Sequence, residues 1–200
     1  MNAKLSQVLR LPVFFLNFSH NVGEMHLKKK IMVALSLLLV GVLRGEEGKS
    51  FYSTTAEKFV AEVKIADGEP EDYYKAVCPG YGGYELIYQA GDARSWLDVR
   101  RGKVTSDLWA ATMEAGRGFF VAKANDVVEW RGVMKEGVFK PYAIIYRVTA
   151  QNPEKVEEFF SSLVVVALKE GESEVIGTAH GKGEDAKAKA LADQWWKAQK

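Results

Sequence analysis

The stretch Arg94-Ser95-Trp96-Leu97-Asp98-Val99-Arg100 constrains the fold most. Arg94, Trp96, Asp98 and Arg100 alternate onto one face, opposite Ser95, Leu97 and Val99, which is the two-residue period of a β-strand. The same alternation runs through residues 84–90, and residues 73–78 carry the aromatic and β-branched side chains that strands favour. Turn signals stand between them: Asp67-Gly68-Glu69-Pro70, Gly91-Asp92 and Arg100-Arg101-Gly102-Lys103. Further strands are predicted at residues 119–122, 127–131 and 142–148, with a late hairpin from 163–168 and 175–180 around Glu170-Gly171-Glu172. Residues 54–65 fit a helix or a strand equally.

Helices are fewer. Asn152-Pro153, followed by Glu154, Glu157 and Glu158, reads as a helix start, with Val156, Phe159, Phe160 and Leu163 on one side. Residues 108–113 suggest a helical turn. At the end of the chain Glu184-Asp185 opens a helix in which Ala188, Leu191, Ala192 and Trp195 share a face, and Lys197 and Lys200 close it. This stripe predicts Trp195 against a sheet and Trp196 nearer the rim. The expected class is α+β: a mostly antiparallel sheet, or a partly open barrel, of about seven or eight short strands with the C-terminal amphipathic helix packed on it.

Lys28-Lys29-Lys30 precedes an uncharged, apolar run of 13 residues, Ile31 to Leu43, and Gly45 follows before acidic, polar sequence begins. That is the layout of a secretory signal, and the run is shorter than the ~20 residues a spanning helix needs. Met25 makes a better start than Met1, so residues 1–24 read as a mis-called start, 25–45 as the signal, and 46–200 as a single domain. The expected location is periplasmic or secreted. Of the 27 basic and 26 acidic side chains, the first 45 residues hold six and one, leaving 21 against 25. A mildly acidic surface of this kind argues against nucleic acid as a partner and against membrane binding once the signal is removed.

Chemistry-bearing residues are sparse. The exported part has one cysteine, Cys78, and one histidine, His180. A lone cysteine there is buried and inert, paired with another molecule, or reactive. Metal sites need ligands recurring at fixed spacing, and neither residue recurs, so no metal or other cofactor is expected. Nucleophilic catalysis would need Cys78, Ser95 or Ser161 to meet His180; glycoside chemistry would need a carboxylate pair such as Asp92 with Glu129.

The segment Cys78-Pro79-Gly80-Tyr81-Gly82-Gly83-Tyr84 leads into a strand and has no following lysine, unlike a phosphate cradle. It reads as a tight bend. Together with Gly91-Asp92-Ala93-Arg94 and Glu129-Trp130-Arg131, it resembles a set of small exported bacterial proteins that carry no assigned activity. The resemblance spans most of residues 50–194 and implies export and a shared fold, but no chemistry. It also implies a second cysteine in the segment corresponding to Phe59-Val60, where this chain has none.

The remaining constellation is aromatic plus arginine: Tyr81, Tyr84, Arg94, Trp96, Trp130 and Arg131. Trp, Tyr and Arg dominate the energetics of protein interfaces. They predict a surface for another envelope protein or envelope component, in a binding module rather than an enzyme. Two alternatives are an envelope hydrolase and an inhibitor of a cell-wall hydrolase. A structural reading competes with all three: Arg131 or Arg147 would knit strands together through Asp92 or Asp98.

Overall fold

Antiparallel hairpins build two five-stranded sheets. The computed structural model describes residues 47–56, 61–63, 68, 70–117 and 122–200. The segments assigned to residues 1–24 and 25–45, the Phe59-Val60 position and most of the strand expected at 119–122 lie outside the described residues.

Sheet I contains β2 (Ala61–Glu62), β3 (Tyr74–Pro79), β4 (Tyr84–Gly91), β5 (Arg94–Arg101) and β6 (Val104–Ser106), neighbours in that order. The alternating segments read from sequence are β4 and β5. Asp92 and Ala93 both take positive φ, 49° and 58°, between them, as a two-residue hairpin turn that follows the strand twist requires.

Sheet II contains β1 (Lys49–Thr54), β7 (Ala122–Lys135), β8 (Val138–Gln151), β9 (Phe159–Ala167) and β10 (Glu174–Ala179), also in spatial order. Every pairing in both sheets is antiparallel. The ten described strands exceed the expected number: β1 and the short β6 lie outside the predicted strands, β2 falls in the stretch that fits either type, and residues 122 and 127–131 belong to the single strand β7. Conversely, β7 and β8 reach 14 residues each.

Two helices complete the described elements: α1 (Trp109–Ala115) and α2 (Glu184–Ala198). Sheet II is the middle of three layers. On one side Val128, Trp130, Ile144, Tyr146, Val164 and Val166 join Cys78, Leu86, Leu97 and Val99 of sheet I. On the other, Val133, Tyr142, Ile145 and Val165 meet Ala188 and Ala192 of α2. Burial on both faces explains why residues 163–168 read as an unbroken apolar run rather than an alternation. Trp195 and Trp196 both pack against this second core. Trp196, expected nearer the rim, stacks on Tyr142 with ring centroids 5.0 Å apart and planes 6° from parallel.

The helix expected after Asn152-Pro153 is absent. Asn152 accepts from the Glu154 N–H at 3.0 Å through its side chain, and its own N–H donates to the Glu158 carbonyl at 2.8 Å. The same capping chemistry here closes a loop, because Asx turns and helix caps use one hydrogen bond pattern. Phe159 and Phe160 accordingly begin β9.

Candidate functional site

The Gly-rich bend joins β3 to β4 and presses onto sheet II. A Cβ on Gly80 would overlap the Tyr84 carbonyl and lie 2.6 Å from Cη2 of Trp130, so nothing larger than glycine fits. Tyr81 stands edge-on to Trp130 and Phe139 at 5.6 and 5.7 Å, and its hydroxyl donates to the Tyr52 carbonyl at 3.2 Å. Trp130 is fully buried, with its indole N–H donating to Ser53 Oγ at 2.8 Å. Tyr84, also buried, donates to the Lys169 carbonyl at 3.0 Å and accepts from Arg101 at 3.1 Å. The bend is a joint between the sheets, and Trp130 and Tyr84 offer almost nothing to a partner.

Arg131 is a lock. Its guanidinium meets both carboxylate oxygens of Asp193 on α2 at 2.8 Å, while the Tyr142 hydroxyl donates to the same carboxylate at 2.6 Å. Burial pushes the Asp193 carboxyl upward, but the hydrogen bonds from Arg131 and Tyr142 and the guanidinium charge outweigh it and hold it below the ordinary range. The neighbouring Glu129 is held by Ser50 and by Lys189 at 3.6 Å. Arg147 pairs with Glu184 of α2 at 2.6 Å. The arginine–carboxylate network considered from sequence therefore exists with other partners, fastening α2 to sheet II.

Arg94 and Trp96 do come together. They share a recess of about 310 Å³ with Tyr73, Asp72, Asp92 and Trp109. Arg94 binds Asp92 at 2.7 Å, and Asp72 accepts from the Asp92 N–H at 2.8 Å, so the polar rim is fixed. Trp109 opens α1 and is 44 % exposed; its backbone N–H donates to the Asp107 carboxylate at 2.9 Å. Sequence reading missed Trp109 as a site residue because its only signal was a helical turn, and turns of that kind usually bury their aromatic residue.

Behind this recess lies Asp98, only 5 % exposed. It accepts from the Leu108 N–H at 3.0 Å, just ahead of α1, and from the Gln89 amide, which in turn accepts from the Tyr73 hydroxyl. Burial raises its carboxyl to about 6, against smaller opposing pulls from the Leu108 N–H, Lys75 and Gln89; Asp107 adds to the rise. The alternation places Asp98 on the outer face, but the segment leading into α1 covers it.

Neither Cys78 nor the Asp92–Glu129 pair is arranged for catalysis. Cys78 is fully buried, and desolvation pushes its thiol up to about 11, away from the nucleophilic thiolate. His180 is exposed just beyond the end of β10. Asp92 and Glu129 lie on different sheets, each engaged by its own cation. Among the described residues, no group of three or more His, Cys, Asp or Glu is placed to hold a metal ion, and no helix is long and apolar enough to cross a membrane. No protein-family model, curated protein or solved structure matches the chain.

Proposed function

We propose that this chain is an exported, non-catalytic binding module that engages another envelope protein through the recess containing Trp96, Trp109 and Arg94. The single observation carrying this reading is an exposed tryptophan beside a half-buried one in a shared recess. Two tryptophans, a tyrosine and an arginine around a small cavity are the composition of an interface hot spot, where a partner side chain inserts and water is excluded. Asp98 and the Leu108 N–H hold α1 in place beneath Trp109, so little ordering remains to oppose association. The buried thiol of Cys78 favours binding over nucleophilic chemistry. Export rests on the lysine-flanked apolar run and on the resemblance carried by the Cys-Pro-Gly motif.

The test is capture from an envelope extract with the full-length protein and with Trp96→Ala/Trp109→Ala. A partner retained by the wild type and lost from the double variant, at unchanged thermal midpoint, supports the reading. Identical retention by both proteins would remove the recess from consideration.

A further inference from the structure

We propose that the groove between α1 and the outer edge of β10 receives an extended, basic peptide segment as a sixth strand of sheet II. β10 ends the sheet, and among the described residues no strand pairs with its far side. A recess of about 740 Å³ follows it, and every residue from Ser173 to Thr178 lines that recess. Six successive residues along one wall mean that the strand presents its backbone edge there, since a single face would contribute only alternate residues. An exposed edge of N–H and C=O groups is a template for an incoming strand. At the other end of the sheet the Tyr81 hydroxyl already occupies the Tyr52 carbonyl of β1.

The opposite wall is α1. Ala110 and Ala111 contribute no bulk, leaving space for a backbone. Asp107 and Glu114 line the same wall, and among the described residues neither has an ion-pair partner. Arg117 lines the recess as well, but its guanidinium is engaged over the Phe160 ring at 4.4 Å. Glu174 adds a third carboxylate, shared with Lys169 at 2.6 Å. This excess of negative charge selects a segment carrying lysine or arginine. A second copy of β10 fits less well, because Glu174–Ala179 brings no basic residue to meet these carboxylates.

This site is separate from the Trp96/Trp109 recess, and the experiment keeps them apart. Fluorescein-labelled Lys-Val-Lys-Val-Lys-Val-Lys, its glutamate counterpart and a version with proline at the centre are titrated against the full-length protein by anisotropy. The lysine peptide is expected to bind, with the other two weaker by about tenfold or more, proline because it cannot supply the ladder N–H. Ala110→Trp fills the groove from an exposed helix position and is expected to weaken binding by about tenfold, and Glu114→Lys by several-fold, both at unchanged thermal midpoint. Trp96→Ala/Trp109→Ala leaves the affinity unchanged even if it abolishes envelope capture. Amide exchange at residues 175–178 slows when the lysine peptide is present. The proposal is overturned by equal affinity for all three peptides, by binding insensitive to Ala110→Trp, by no anisotropy change, or by β10 protection that rises with protein concentration alone and so reports a second copy.

Discussion

Asp98→Asn should flatten the pH dependence of stability between pH 4 and pH 7. In the folded protein burial raises the Asp98 carboxyl from 3.8 to about 6, so the folded state holds its proton more tightly than the unfolded chain does. The consequence has a definite sign. Below the unfolded value both states are protonated and Asp98 contributes no pH dependence. As pH rises towards 6 the unfolded chain ionises first, and folding must either retain the proton or bury a charge. Integrated from pH 4 to pH 7, this removes about 2 kcal/mol of stability. The substituted asparagine keeps an acceptor for the Leu108 N–H, and a flip of the Gln89 amide restores the second contact, with the Tyr73 hydroxyl able to accept in its turn. Urea unfolding of both proteins across this range gives the difference directly, and contributions from other groups, including Asp193, cancel between them. The wild type is expected to lose about 2 kcal/mol relative to the variant from pH 4 to pH 7. Parallel profiles, or a wild type that gains on the variant as pH rises, would refute the argument, because either requires Asp98 to ionise as easily inside the protein as in water.

Gly80→Ala forces a methyl group against the Trp130 indole and the Tyr84 carbonyl, and a loss of about 1–3 kcal/mol is expected by chemical denaturation. Asp193→Ala strips Arg131 of its bidentate partner at 14 % side-chain exposure; a loss of about 2 kcal/mol, larger than for Asp185→Ala on the same helix, would register in the same assay. Cys78 should resist iodoacetamide in the folded protein and react on unfolding, as followed by intact mass; rapid labelling under native conditions would contradict its burial. Protein recovered from the envelope should lack residues up to about Gly45 by N-terminal sequencing, and intact chain confined to the cytosol would remove export from the reading.

Local periodicity revealed much of the architecture. The alternation at residues 84–90 and 94–100 became β4 and β5, the turn signalled at Gly91-Asp92 lies one residue later at Asp92-Ala93, and the Ala188/Leu191/Ala192/Trp195 stripe became the buried side of α2. Long-range placement was not legible. Nothing near Arg131 points to Asp193, 62 residues later. Sequence reading puts Trp130 and Arg131 on a partner surface, yet β7 lies in the middle layer and has no free face along this stretch: Trp130 enters one core while Glu129 and Arg131 are fastened to α2 and to Ser50 of β1. Asn152-Pro153 failed for the converse reason, because its hydrogen bond is local and serves two structures equally well. The candidate recess was half visible, in Arg94 and Trp96; Trp109 joins it only because the β6–α1 connection folds back over Asp98.

The element that shields the outer side of the central layer follows all ten described strands along the chain. A chain halted before Glu184 would have all ten described strands yet leave Val133, Ala143, Ile145 and Val165 bare to water. Such a fragment should be sticky rather than merely less stable, so residues 184–200 act as the molecule's own guard against aggregation. Truncations that remove α2 therefore disturb solubility before they disturb the strands.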